Sequence, residues 1–148
     1  MKLIIAWIGK TRDPAIQSLT ADYLKRLTHY TPVDALALPG EAALLKLVRS
    51  EGSRGGAHLI LLDTDGKQYT SEEFARFLDA QRSRSPYPLL FAIGPADGFS
   101  KEVRALAMQV ISMGKMTIAH ELARVVFLEQ LYRAFTILKG HPYHLAHK

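Results

Sequence analysis

Five short apolar segments, each followed by a helical pattern, constrain the fold of this chain more than any other feature of its sequence. The segments have the length and apolar composition of buried strands. They are Lys2–Gly9, Val33–Leu38, His58–Asp63, Pro88–Gly94 and Val110–Met113. Strands that alternate with helices form mostly parallel sheets with helices on both faces. A length of 148 residues suits a single core, so the sequence predicts one α/β domain over residues 1–148.

Turn and capping residues mark several boundaries of these elements. Thr70 and Glu73 have the spacing of a capping box and predict the start of the third helix. Ser100 predicts the N-cap of the fourth helix, and Gly52 is expected to stop the second. Residues 64–67, with the sequence TDGK, are expected to form the turn that closes the third strand.

Composition excludes several classes of protein. The longest apolar runs are far shorter than the roughly 18 residues that a membrane-spanning helix needs, and the start of the chain is too short and too charged for a signal peptide. Cysteine is absent, which excludes disulfides and thiolate metal sites and suits a cytoplasmic protein. A net charge of +5 is compatible with a nucleic-acid partner but does not require one.

Three loops stand where ligands gather in parallel sheets, beyond the carboxyl ends of the strands. They carry the sequences LLDTDGK, IGPADGFS and SMGKMTIAH. Gly94 and Gly98 in the second loop allow a close backbone approach to a ligand, although the same glycines suit an ordinary strand-to-helix turn. The loop has neither the spacing of a dinucleotide fingerprint nor that of a phosphate-binding P-loop. In the third loop, Met116 and Ile118 can sandwich a purine, or the segment can simply pack into the core.

The last helix, within residues 114–135, has no clean polar face. A surface helix of a monomer shows one apolar stripe, so this pattern predicts that two sides are covered. His120 and Arg124 lie one turn apart; His120 can be a base, a phosphate contact or, by default, a hydrogen-bonded core residue. Glu129 and Arg133 are expected to form a structural ion pair.

The tail that follows, GHPYHLAHK, can be a frayed terminus. It also offers an aromatic ring, titratable histidines and positive charge for RNA. The irregular histidine spacing excludes a zinc site.

Three segments together, IGPADGFS, SMGKMTIAHELARVVFLEQLYRAF and GHPYH, resemble the SPOUT-superfamily methyltransferases of the RlmH type. The resemblance covers essentially the whole chain. It implies a C-terminal trefoil knot, an S-adenosylmethionine cofactor bound in that knot, no metal, and a homodimer whose partner covers one side of the last helix. It also implies methylation of N3 of a pseudouridine in bacterial 23S rRNA, with the large subunit or the whole ribosome as partner. The alternatives are a SPOUT enzyme for another RNA, such as tRNA, or a dimeric RNA-binding protein without catalysis.

Site residues carry over from the resemblance position by position. Tyr143 and His144 in the tail, residues 140–148, are expected to position the base and accept its proton in the partner's site, and Arg133 joins them as a catalytic candidate. The expected cofactor contacts are Leu62, Gly94, Met113, Gly114, Lys115, Met116, Thr117 and Ile118.

This chain departs from the family pattern at three positions. Pro95 stands in place of a second glycine and lacks a backbone donor. Ala119 stands in place of a proline, so its φ is not fixed by a ring. Leu145 stands in place of a basic residue.

Overall fold

The strands of this chain form one parallel sheet. A computed structural model describes residues 2–50, 57–95 and 97–148; the helix stop predicted at Gly52 lies outside them. The elements are β1 (Leu3–Ile8), α1 (Pro14–Leu27), β2 (Val33–Leu38), α2 (Glu41–Ser50), β3 (His58–Gln68), α3 (Ser71–Arg84), β4 (Leu89–Ile93), α4 (Lys101–Leu106), β5 (Gln109–Ser112), α5 (His120–Leu138) and α6 (Tyr143–Ala146). The strand order in the sheet is β2-β1-β4-β3-β5. The predicted fold class is confirmed.

Helices cover both faces of the sheet because successive strand residues point to opposite sides. On one face, Leu3 and Ile5 of β1 pack in a cluster with residues of α1, α3 and α5. On the other face, Ile4 and Ala6 pack in a second cluster with residues of α2 and α4. The sheet is therefore buried on both sides, as a parallel sheet requires.

Helix α5 is the centre of the larger cluster. Leu128 and Leu131 are fully buried. Phe135 stacks on Tyr30, which follows α1, with ring centroids 5.8 Å apart. Phe127 contacts Phe74 of α3 on the other side, at 6.1 Å. Two sides of α5 are covered, as the sequence predicts. Within one chain, α1 packs on one side and α3 on the other, whereas a partner subunit was expected over the second side.

The turn expected at residues 64–67 is absent, because β3 continues as strand to Gln68. Its pairing with β5 shifts in register between Leu62 and Lys67, as in a β-bulge. Gly66 lies directly against the neighbouring backbone: a Cβ there would stand 2.7 Å from main-chain atoms of Val110 and Ile111. The glycine that suggested a turn permits this close approach instead.

The capping box at α3 is confirmed. The Thr70 hydroxyl accepts a hydrogen bond from the Glu73 N–H at 3.1 Å, and the Thr70 N–H donates to the Glu73 carboxylate at 2.8 Å. Ser100 caps α4 in the same way, by accepting from the N–H of Val103 at 3.3 Å. In both caps the bonded residues are three positions apart, so the local sequence is enough to predict them.

Candidate active site

A cleft of about 490 Å³ opens at the carboxyl edge of the sheet, between residues 62–64 of β3, the loops after β4 and β5, and the first turn of α5. It brings together seven of the eight cofactor residues expected from the sequence, namely Leu62, Gly94, Met113, Gly114, Met116, Thr117 and Ile118. The eighth, Lys115, is exposed on the same loop but is not part of the lining. Gly114 has a φ of +135°, a conformation that side chains rarely adopt.

Polar groups that the sequence analysis did not single out line one rim of this cleft. Asp63, Asp97 and Arg104 all contribute to the lining. Arg104 pairs with Asp63 and, at 3.3 Å, with Asp65. The rim therefore carries carboxylates that can accept hydrogen bonds from hydroxyl or amino groups. Position alone could have identified Asp63, because it directly follows the apolar core of β3.

Two departures from the family pattern lie in this lining. Pro95 has no N–H to offer, but its carbonyl accepts a hydrogen bond from Gly98 at 3.0 Å and closes a tight turn. Ala119 has a φ of −50°, within the range that a proline ring would impose. Alanine at position 119 therefore has a φ that proline could also adopt.

Packing against Phe99 leaves no room for a side chain at Gly94. A Cβ at this position would stand 2.9 Å from the ring of Phe99, and Phe99 belongs to the smaller core cluster. A bulky residue at Gly94 would therefore disturb packing as well as the cleft.

His120 and Arg124, at the start of α5, lie in different environments. His120 is exposed and lines the cleft, so the default expectation of a core histidine is wrong. Arg124 is the buried residue, with 1% of its surface exposed. It donates to the carbonyl of Ile8 and to the hydroxyl of Thr11, both at 2.8 Å, and stacks over the ring of Trp7. Desolvation lowers the pKa of Arg124, and these acceptors hold its charge inside the fold.

The tail is ordered as the short helix α6 and docks on α5, so the expectation of a frayed terminus is wrong. The Tyr143 hydroxyl donates to the Glu129 carboxylate at 2.9 Å. The predicted Glu129–Arg133 ion pair is present at 3.1 Å, and the Arg133 guanidinium lies over the Tyr143 ring. Burial raises the pKa of Tyr143 above its ordinary value, so this phenol stays protonated.

Both ring nitrogens of His144 are engaged in this cluster. Arg133 Nη1 lies 2.9 Å from His144 Nδ1. Because a guanidinium can only donate, Nδ1 is the acceptor. The proton of a neutral His144 then sits on Nε2, 2.7 Å from the Glu72 carboxylate, and this hydrogen bond lowers the pKa of Glu72. Nδ1 can therefore contact another group only after it exchanges its bond to Arg133.

The three catalytic candidates lie together but apart from the cleft of their own chain. Arg133 holds both Tyr143 and His144, whereas Ala123 is the last α5 residue that lines the cleft. Arg133 lies ten positions after Ala123 on the α-helix, which corresponds to about 15 Å along the axis. One chain therefore presents a cleft at one part of α5 and the candidate catalytic tail at another.

Within the residues that the structure describes, no helix is long and apolar enough to cross a membrane. The same residues contain no group of three or more His, Cys, Asp or Glu side chains placed to hold a metal ion.

Sequence comparison places this architecture among known proteins. The family model described as "Predicted SPOUT methyltransferase" matches residues 1–144. The chain is 56% identical to the ribosomal RNA large subunit methyltransferase H of Koribacter versatilis, over 99% of this chain and 100% of that protein. It is 40% identical to the protein of the same name from Geotalea daltonii, over 97% of this chain and 99% of that protein.

Solved structures share the fold at low sequence identity. The SpoU methyltransferase AviRb from Streptomyces viridochromogenes, solved in complex with the cofactor AdoMet, matches with a TM-score of 0.53 at 16% identity, over 88% of this chain and 56% of that chain. A probable methylase family protein from Haemophilus influenzae matches with a TM-score of 0.54 at 11% identity, over 97% of this chain and 69% of that chain.

Proposed function

The chain belongs to the SPOUT methyltransferase family, and we propose that it methylates 23S rRNA of the large ribosomal subunit, with S-adenosylmethionine as donor. The acceptor in this proposal is N3 of a pseudouridine, and the substrate is the assembled subunit or ribosome in the cytoplasm. The observation that carries the proposal is the cleft, in which seven residues from strand β3 and from the loops after β4 and β5 meet at the carboxyl edge of the sheet. The trefoil knot implied by the family resemblance stays a prediction.

The cleft fits the donor in size and in chemistry. Its volume of about 490 Å³ lies within the range of small-molecule sites. Met116 and Ile118 offer apolar surface for the adenine, and the loop backbone of residues 115–118 offers N–H and C=O groups for its edge. Asp63 and Asp97 offer carboxylates for hydroxyl and amino groups. Bound there, S-adenosylmethionine supplies a methyl group made electrophilic by its sulfonium.

The acceptor nitrogen carries a proton that must leave before its lone pair can attack. Tyr143 is suited to position the base, because its phenol stays protonated and its ring belongs to an aromatic group with Tyr132, at 4.8 Å. His144 Nδ1 is the candidate proton acceptor once it exchanges its bond to Arg133 for a contact with the base. Arg133 then serves to orient the tail and to favour the anionic form of the base through its charge.

We place these residues in the cleft of a second subunit. Since the tail lies about 15 Å along α5 from the cleft of its own chain, a homodimer in which each tail faces the other subunit's cleft brings donor and proton acceptor together. Leu122, which is 46% exposed on α5, and Met116, which is 85% exposed on the cleft loop, are apolar surface available to such an interface.

The substrate is tested with ribosomes from a bacterial strain that lacks its own enzyme of this type. The purified chain and S-adenosylmethionine are added to large subunits, to whole ribosomes and to tRNA, and the nucleosides are analysed by mass spectrometry. We expect an N3-methylated pseudouridine in 23S rRNA only. A methyl group found in tRNA instead would replace the proposed substrate, and binding of RNA with no methyl transfer to any of them would support a non-catalytic role.

The composite site is tested with a mixed dimer. One subunit carries Thr117→Tyr, which fills the cleft, and the other carries His144→Ala. If tails serve the opposite cleft, both lesions fall in one site and the other site is intact, so about half of the activity remains. If each chain serves itself, each site carries one lesion and activity is lost, which would contradict the shared site provided that both parental homodimers are inactive.

A further inference from the structure

The loop between β1 and α1, residues 9–13, is held from one side by α5. Glu121 accepts hydrogen bonds from the backbone N–H groups of Arg12 and Asp13, at 2.9 and 3.0 Å. Arg124, one turn later, donates to the Thr11 hydroxyl and to the carbonyl of Ile8 at the end of β1. Two side chains of one helical turn therefore fix both the entry and the exit of this loop.

The same turn of α5 also lines the cleft. His120 and Ala123 face the cleft, while the residues directly after each of them, Glu121 and Arg124, hold the loop. Positions three apart share one side of a helix, so the first turn presents one side to the cleft and the adjacent side to the loop. The loop is thus placed beside the mouth of the cleft by a rigid element.

The loop presents two cations outward. Lys10 and Arg12 are exposed, and no salt bridge among residues 2–50, 57–95 and 97–148 involves either side chain. Two carboxylates in or against the loop accept bonds from backbone N–H groups: Asp13 caps α1 by accepting from Ala15 at 2.8 Å, and Glu121 accepts from Arg12 and Asp13. Those hydrogen bonds lower the pKa of Glu121, so it stays ionised while it holds the loop.

The part of the cleft lining formed by β3, α4 and the loop between β4 and α4 has another electrostatic character. It contains Asp63 and Asp97, and its cation Arg104 is paired with Asp63 and Asp65. The exposed side chains of Lys10 and Arg12 can therefore contact a phosphate group directly, whereas the aspartates of the cleft lining repel one.

We propose that residues 9–13 form a phosphate-binding arm that docks the RNA backbone beside the cleft, with Lys10 and Arg12 as the contacts and with Glu121 and Arg124 as positioning residues. The assignment rests on the proposed function, since it names the surface that receives the RNA. Phosphate contacts orient a protein on a nucleic acid without reading its sequence, so the arm sets the approach of the substrate while the cleft performs the chemistry.

Salt dependence tests the two contacts directly. The double variant Lys10→Ala/Arg12→Ala is compared with the native chain in binding to deproteinised 23S rRNA and in methyl transfer to ribosomes, across a series of salt concentrations. The slope of log affinity against log salt is negative, and each lost phosphate contact reduces its magnitude by about 0.7 on a single strand, so we expect a magnitude smaller by about 1.4. The KM for ribosomes should rise while the affinity for S-adenosylmethionine stays unchanged.

A charge-matched control separates this arm from general electrostatics. Lys46→Ala/Arg49→Ala removes two exposed cations from α2, which packs on the other face of the sheet. This control should leave the salt slope at the native value. An equal decrease in both double variants, or no decrease in the loop variant, would overturn the assignment.

Glu121 distinguishes a positioning role from simple repulsion. Glu121→Ala removes a negative charge near the RNA, so if Glu121 only repels the RNA, the variant should bind more tightly. If Glu121 instead positions the loop, the variant should bind more weakly, although Lys10 and Arg12 are both present. Glu121→Gln keeps an acceptor oxygen and should restore most of the affinity. Tighter binding by Glu121→Ala would refute the positioning role. Methyl transfer by the native chain is measured independently, so failure of the proposed function is recognised separately from failure of the arm.

Discussion

Truncation of a single leucine tests whether α5 is covered by its own chain. Leu128 is fully buried between the sheet and the neighbouring helices, so Leu128→Ala removes core methyl groups and leaves a cavity. Such changes cost about 2–5 kcal/mol. Leu122, on the same helix, is 46% exposed. Full burial of a leucine contributes about 1.5–3 kcal/mol, so Leu122→Ala should cost about 1 kcal/mol or less within one chain.

Urea unfolding of both variants, at several protein concentrations, measures these costs. The cost of Leu128→Ala should not depend on concentration, because intrachain contacts supply it. If the partner subunit covers Leu122, the cost of Leu122→Ala should depend on concentration, because association stabilises the native state by mass action. A Leu128→Ala cost below about 1 kcal/mol with an unchanged m-value would refute the described packing of α5.

Three further predictions concern the cleft, the tail and a helix cap. Thr117→Tyr should weaken binding of S-adenosylmethionine about tenfold or more, equivalent to at least about 1.4 kcal/mol, whereas Lys115→Tyr on the same loop should not; equal effects in calorimetric titration would contradict the assigned lining. Because the pKa of Tyr143 is raised in the folded chain, this phenol ionises at a lower pH in the unfolded chain. Its contribution to the free energy of unfolding is therefore lost as pH rises above about 10. Tyr143→Phe should therefore show a smaller loss of unfolding free energy between pH 9 and 11, and an identical loss would argue against the docked tail. Thr70→Ala should cost about 1 kcal/mol by loss of the cap, and an unchanged unfolding midpoint would contradict it.

Signals that act over a few residues could be predicted from the sequence, and those that depend on distant segments could not. The capping box at Thr70 needs only Glu73, three residues away, and it is present as predicted. Gly66 has the local signature of a turn, but its role is set by close contact with the backbone of β5, which lies more than forty residues further along the chain.

The same distinction applies to the site. The alternating pattern predicted that three segments meet at one edge, because the carboxyl ends of parallel strands share it. The individual cofactor residues came from the family resemblance. The order of the tail could not be predicted in this way. His144 is held by Glu72, from a helix 72 residues earlier, and by Arg133, and no periodicity in the tail signals either contact.

The central position of α5 has a consequence for synthesis of the chain on the ribosome. The helix begins at His120 and fills the space between α1 and α3, so a nascent chain that lacks it exposes one apolar face of the sheet and the inner sides of two helices. The smaller cluster, made by residues before His120, can close earlier. Folding of the larger cluster must therefore wait until the last fifth of the chain is released, and until then the exposed face is available to chaperones and to aggregation.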